Sequence, residues 1–215
     1  MNGVRGFLFD LDGTLIDSMP HHHDAWVAWH ARRGLSLDAD AFFAATAGRA
    51  NDEILAAIRQ READPGVAGF VITGYGSKAF CAGADIGRFP ALLGDADAAA
   101  QYARDCSRLL VHLDACAKPV VAALNGIALG GGFELAMRCH ALVAMRDAWM
   151  QLPEVTLGIV PGIGAMVVPY RRWPAAASVF HGMLRRADRL KAVRAHELGI
   201  VDALADDPQS LVAAA

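Results

Sequence analysis

The 215-residue sequence predicts an α/β fold, and two observations carry that prediction. Short apolar runs rich in valine and isoleucine end in glycine or asparagine, as buried strands do. Between them lie longer stretches whose apolar residues recur at helical spacing, so strands alternate with helices along the chain.

VRGFLF (Val4 to Phe9) reads as the first strand and runs into the acidic, glycine-containing loop Asp10-Leu11-Asp12-Gly13-Thr14. Helical patterns follow from His21 to about Arg33, from Asp38 to about Ala47, and from Asn51 to Arg61, the last stopped by the turn Asp64-Pro65-Gly66. GFVITG (Gly69 to Gly74) is a buried strand leading to a loop through Ser77 and Lys78 to Phe80. Tyr102, Cys106, Leu109, Leu110 and Leu113 mark a long helix from about Ala96 to Ala115. PVVAALNG (Pro119 to Gly126) and HALVAMRD (His140 to Asp147) are strands on either side of a helix opened by GGGFELAM. Ala175 to Arg186 and Leu190 to Leu198 are expected as helices.

Composition narrows the function classes. Hydrophobic residues make up 54% and charged residues 20% of the chain, which fits a packed core and excludes a disordered protein. A net charge of −3 argues against a nucleic-acid binder. Arg171, Arg172, Arg185, Arg186, Arg189, Lys191 and Arg194 make the last third locally basic, as a solvated face or a contact for phosphates. Cys81, Cys106, Cys116 and Cys139 have neither paired nor metal-ligand spacing and are expected reduced, in a cytoplasmic protein. The apolar run from Pro119 to Phe133 is shorter than the roughly 20 residues a membrane span needs, so no membrane association is expected.

The residues with chemistry fall into two groups. In the larger one, FCAGADI (Phe80 to Ile86) follows one strand and NGIALGGGFEL (Asn125 to Leu135) follows another. Gly83 permits a tight turn before the amide of Ala84, and Gly130 to Gly132 stand where a helix begins and free N–H groups favour an anion. Glu134 lies in the first turn of that helix, and Glu154, after Pro153, comes 20 residues later, beyond one more strand. Two N–H donors aimed at one oxygen and two placed carboxyls are what hydration of a conjugated thioester requires. The donors stabilise an enolate, one carboxyl deprotonates water and the other protonates the α-carbon.

The segments FVITGYGSKAFCAGADI, KPVVAALNGIALGGGFELAM and PEVTLGIVPGIG resemble the crotonase (enoyl-CoA hydratase/isomerase) superfamily, over about residue 54 to the C-terminus. The resemblance implies a core of ββα units in a spiral, usually assembled as a trimer or a dimer of trimers. It implies an oxyanion hole at the amides of Ala84 and Gly131, and Glu134 and Glu154 as the acid–base pair. Ala82, Gly83, Asp85, Gly130, Pro153 and Gly162 are the flanking substrate-binding positions. It further implies an acyl-CoA thioester as substrate and no separate cofactor. Both acids together favour hydration over double-bond isomerisation. PGIGAMVVPYRRWP (Pro161 to Pro174) departs from the family's PGAGGTQRL, beside the acyl pocket. The family's first fifty or so residues and its C-terminal helices have no counterpart in the expected layout, which makes the core a truncated one.

In the smaller group, FLFDLDGTLIDS (Phe7 to Ser18) resembles the first motif of the haloacid-dehalogenase phosphatase and phosphomutase superfamily. PHHHDAWVAWHARRGL and TAGRANDEIL resemble the start of its helical cap. That resemblance implies Asp10 as nucleophile, Asp12 as acid/base and Mg²⁺ held between them. It stops near Glu53, before the later strands that phosphatase needs. His21 to His23 are expected as a solvated helix start. Residues 1–53 are thus expected as a fragment of one enzyme, a strand, loop and helices, and residues 54–215 as a crotonase-like domain. The alternatives to hydration are a Mg²⁺-dependent phosphatase at Asp10 and an inactive truncated chimera.

Overall fold

The computed structural model describes residues 8–9, 51–74, 76–83 and 94–215 of the chain. Asp10, Asp12, the histidine run and the expected cap helices before residue 51 lie outside the described residues, as do Ala84 and Asp85.

A two-residue strand β1 (Leu8–Phe9) and a helix α1 (Asn51–Glu62) precede the main body. Strands β2 (Phe70–Thr73) and β3 (Ala79–Cys81) lead to the long helix α2 (Ala96–Asp114). Strands β4 (Val120–Leu124) and β5 (Ile127–Leu129) lead to α3 (Gly131–Arg138), and β6 (Ala141–Met145) and β7 (Trp149–Gln151) to a 3-10 turn at Glu154–Leu157. After them come α4 (Val168–Arg172), a 3-10 turn at Pro174–Ala176, α5 (Ala177–Arg186), β8 (Leu190–Lys191), α6 (Ala192–Glu197), β9 (Ala203–Ala205) and α7 (Pro208–Ala214).

Each strand pair divides between two sheets. β2, β4 and β6 join β1 and β9 in a five-stranded parallel sheet, in the order β1-β2-β4-β6-β9, and their successors β3, β5 and β7 form a second sheet with β8, where only β8 is antiparallel. This is the ββα spiral expected from the sequence. β1 lies beside β2 through backbone pairing of Leu8 with Val71 and Phe9 with Ile72.

The strand pattern explains the apolar runs. Phe70, Ile72, Val120, Ala122, Leu124, Leu142 and Ala144 face the main core. Their neighbours Ala123 and Val143 point to the opposite face and pack with Ala205 and with Leu211 of α7. A parallel sheet covered on both faces needs nearly continuous apolar sequence, as in VVAAL. Helix α2 is capped at its start by Asp95, whose carboxylate accepts the Ala98 N–H at 2.8 Å, and ends at Asp114, where the Ala115 N–H bonds back to His112 and Leu113. Helix α3 has only eight residues and no side-chain cap, so burial must hold it. Phe133 stacks on Phe180 of α5, and Phe180 on Trp173, with ring centroids 6.4 and 5.9 Å apart. Burying Phe133 stabilises by about 1.5–3 kcal/mol and fixes where α3 begins.

The expected helix from Leu190 to Leu198 begins two residues late. Leu190 and Lys191 pair with Met150 and Trp149, and Arg189 lies over the Trp149 ring at 4.2 Å. The expected loop ending at Phe80 closes instead in β3, which pairs with β5.

Ala187, which ends α5, is the one described non-glycine residue with positive φ, at 54°. The left-handed region costs an L-residue about 1 kcal/mol. Ala187→Gly is therefore expected to raise stability by about 0.5–1 kcal/mol, seen as a Tm about 2 °C higher. An unchanged or lower Tm would mean the backbone there carries no such cost.

Candidate active site

Two loops meet at the start of α3, one ending at Gly83 and the other carrying Gly130 to Gly132. Asn125, buried after β4, ties the β2–β3 loop down with its side chain. Its Nδ2 donates to the carbonyls of Gly74 at 3.0 Å and Gly76 at 2.6 Å, while its Oδ1 accepts the Gly74 N–H at 3.0 Å. From this junction β3 runs to Ala82, which is exposed, and Gly83, which is half-buried. Gly83 has a φ of 103°, and a Cβ there would stand 3.1 Å from the Leu129 carbonyl and 3.8 Å from the Gly131 nitrogen. The first loop thus reaches the start of α3 at Gly131. Ala84, the other expected donor, follows Gly83 outside the described residues.

The glycine triplet has distinct tasks. Gly130, with φ at 48°, donates its N–H to the Gln151 carbonyl at 3.0 Å, and a Cβ on it would sit 2.6 Å from Glu154 Oε1. Gly132 lies against β3, where a Cβ would come within 2.5 Å of the Cys81 Cβ. Only a bare backbone lets α3 pack this close to both.

Both expected carboxyls are buried, Glu134 at 2% and Glu154 at 9% exposure. Glu134 Oε1 accepts the N–H groups of Ile163 at 3.1 Å and Ala165 at 2.8 Å. Glu154 opens the 3-10 turn after Pro153, and its Oε2 is buried without a hydrogen-bond partner among the described residues. Burial pushes the Glu154 carboxyl up to about 7; its own backbone N–H opposes the shift and the charge of Glu134 adds to it. Burial also raises Glu134, opposed by the amides of Ala165, Ile163 and Gly164 and by the charge of Arg138. Two buried carboxyls with raised proton affinity, Glu134 held by N–H donors and Glu154 shifted to about 7, form a pair able to take and give a proton.

Gly130, Gly131, Glu134 and Glu154 come together in this way, with Gly83 docked on them and Pro153 half-buried beside Gly130. Gly162 is exposed, next to Ala103 of α2, and immediately precedes the segment bonded to Glu134. Sequence reasoning missed Asn125, Arg138 and the amides of residues 163 and 165. Asn125 reads as half of a turn signal, and Arg138 as a cation at a helix C-terminus. Among the described residues, no three His, Cys, Asp or Glu side chains are grouped to hold a metal, and no helix is long and apolar enough to cross a membrane.

A spiral of strand pairs with a glycine-lined helix start and two buried carboxyls defines an α/β core of the crotonase type. Residues 43–214 match the model of the Enoyl-CoA hydratase/isomerase family, and the chain belongs to that family. A probable enoyl-CoA hydratase of Bacillus subtilis is 36% identical over 169 residues, which are 78% of this chain and 64% of that protein. A crotonyl-CoA hydratase of Syntrophomonas wolfei is 39% identical over 70% of this chain and 56% of its own length. Among solved structures, an enoyl-CoA hydratase from Polaromonas sp. JS666 superposes with a TM-score of 0.70 at 30% identity, over 76% of this chain and 63% of that one. The chain therefore spans less than two thirds of the length of these relatives. The family match begins at residue 43, eleven residues before the expected boundary at 54 and within the stretch expected to resemble a phosphatase cap. The comparisons do not favour the phosphatase alternative.

Proposed function

We propose that the site adds water to a 2-enoyl-CoA thioester, giving a 3-hydroxyacyl-CoA. The observation that carries this reading is the burial of Glu134 and Glu154 as an interacting pair, with Glu154 Oε1 close against Gly130 at the start of α3. Water attacks the β-carbon as Glu134 takes its proton. The double-bond electrons move to the thioester oxygen, where the amides of Gly131 and Ala84 hold the enolate. The enolate collapses as Glu154 gives its proton to the α-carbon, and solvent exchange restores both carboxyls. Both carboxyls are raised by burial; Glu134 is taken as the base because amides and Arg138 oppose its shift, and Glu154 as the acid because burial lifts it to about 7. Every step uses side chains and backbone amides of this chain, so the reaction calls for no cofactor.

Ala82, Gly83, Asp85, Gly130, Pro153 and Gly162 border the thioester in this reading. The apolar rim of Val155, Leu157, Ile159, Val160, Met166 and Val167 is exposed, which supports a homo-oligomer.

Crotonyl-CoA is the test substrate, followed by loss of its conjugated absorbance. The native chain is expected to form 3-hydroxybutyryl-CoA and Glu134→Gln to lose nearly all of that activity. Full activity in Glu134→Gln would remove the assignment of the base. No turnover by a folded native chain would favour an inactive fragment.

A further inference from the structure

Arg138 closes α3 one turn beyond Glu134, on the same face of the helix. Its side chain is only 9% exposed, yet it is not spent on the helix end. The terminal carbonyls of α3 and the residues after it belong to Arg172, which donates to Met137, Cys139 and His140. Arg138 instead reaches into the loop after the Glu154 turn. Its Nε and Nη2 donate to the Ile163 carbonyl at 3.2 and 3.1 Å, and its Nη1 pairs with Asp114 at the end of α2.

Ile163 is therefore held at both polar groups by one helix. Glu134 accepts its N–H and Arg138 donates to its C=O. Gly164, with φ at 152°, brings the loop flat against the guanidinium, where a Cβ would stand 3.1 Å from Nε. Ala165 is buried in the core and the Gly164 carbonyl accepts the N–H groups of Val167 and Val168, but among the described residues Arg138 is the side chain that bonds the Ile163 carbonyl.

We propose that Arg138 is a positioning residue for hydration: its grip on the Ile163 carbonyl keeps the amides of Ile163 and Ala165 on Glu134 Oε1 and leaves Oε2 to the attacking water. The inference rests on the hydration reading above. The guanidinium also places a positive charge one turn from the base, favouring its ionised form. The other ionisable groups around Glu134 are Glu154 across the site, Asp114 paired with Arg138, Arg172 from α4 and the Cys81 thiol under Gly132.

The test compares the native chain with Arg138→Lys and Arg138→Met by crotonyl-CoA kinetics across pH and by ¹³C NMR titration of the Glu134 carboxyl. In Arg138→Met, kcat is expected to fall roughly tenfold to a hundredfold with KM within about twofold. The acid limb and the carboxyl titration should both move up by about one pH unit. Arg138→Lys, which keeps the charge but not the planar fork, should restore the titration and only part of kcat. Unchanged kcat and titration in Arg138→Met would overturn the proposal. If the methionine variant does not fold, full kcat in the lysine variant would overturn it instead. If the native chain forms no product, the hydration reading falls by itself. The NMR titration then still decides on Arg138, and the same midpoint in all folded variants would count against it.

Discussion

Replacing Glu154 with glutamine is expected to lower kcat for enoyl-CoA hydration by about 10²–10⁴-fold while making the fold more stable above pH 7. The first effect follows, in the proposed reaction, from removing the group that gives the α-carbon its proton. The second follows from burial. A carboxyl raised from 4.5 to about 7 binds more protons in the folded chain than in the unfolded chain between those values. Stability therefore falls as pH rises through that window, by on the order of 3 kcal/mol, and stays low above it. Glutamine does not titrate, so its variant escapes the loss. Urea denaturation should show the variant ahead at pH 8 and nearly level with the native chain at pH 5. An equal gap at both pH values would mean that another group titrates. In the native chain, kcat/KM for hydration should decline above about pH 7 as the acid loses its proton.

Asn125→Ala is expected to destabilise the fold by about 3 kcal/mol, because one truncation strands three partners. The Gly74 N–H and the carbonyls of Gly74 and Gly76 lose their bonds in a region with little water to replace them. No backbone shift mends this readily, since a mere Cβ on Gly74 or Gly126 would already overlap the carbonyl of Ala79 or Lys78. Asn125→Asp separates the two halves of the junction. It keeps the acceptor for Gly74 but turns a carboxylate towards two carbonyl oxygens, so at neutral pH it should cost at least as much. The readout is a lower denaturation midpoint with an unchanged m-value. A loss below about 1 kcal/mol in Asn125→Ala would show that the loops hold together without it.

The larger sheet was legible because β2, β4 and β6 are four or five residues of apolar sequence buried on two faces. β3, β5 and β7 have three residues each, too few for a period to show, and AFC, IAL and WMQ take their strand form from pairing with one another. Of the site, Gly131, Glu134 and Glu154 could be read from local order and spacing. The bonds that hold Glu134 could not, because Ile163 and Ala165 lie 29 and 31 residues away and offer only backbone. Arg138 was hidden for a related reason. A basic residue in a helix's last turn has an adequate local explanation, and only the position of Arg172 removes it.

The division of each strand pair between two sheets has a consequence for how the molecule comes apart. Successive turns of the spiral touch chiefly their neighbours, as in a stack of coins, so loss of order starts at the ends and moves inward. The Gly131 amide and Glu134 follow the middle turn, β4 and β5, whose strands are flanked on both sides by those of other turns. The residues proposed for the chemistry at the start of α3 are thus lodged in the interior of the stack, where fraying of its outer turns reaches them last.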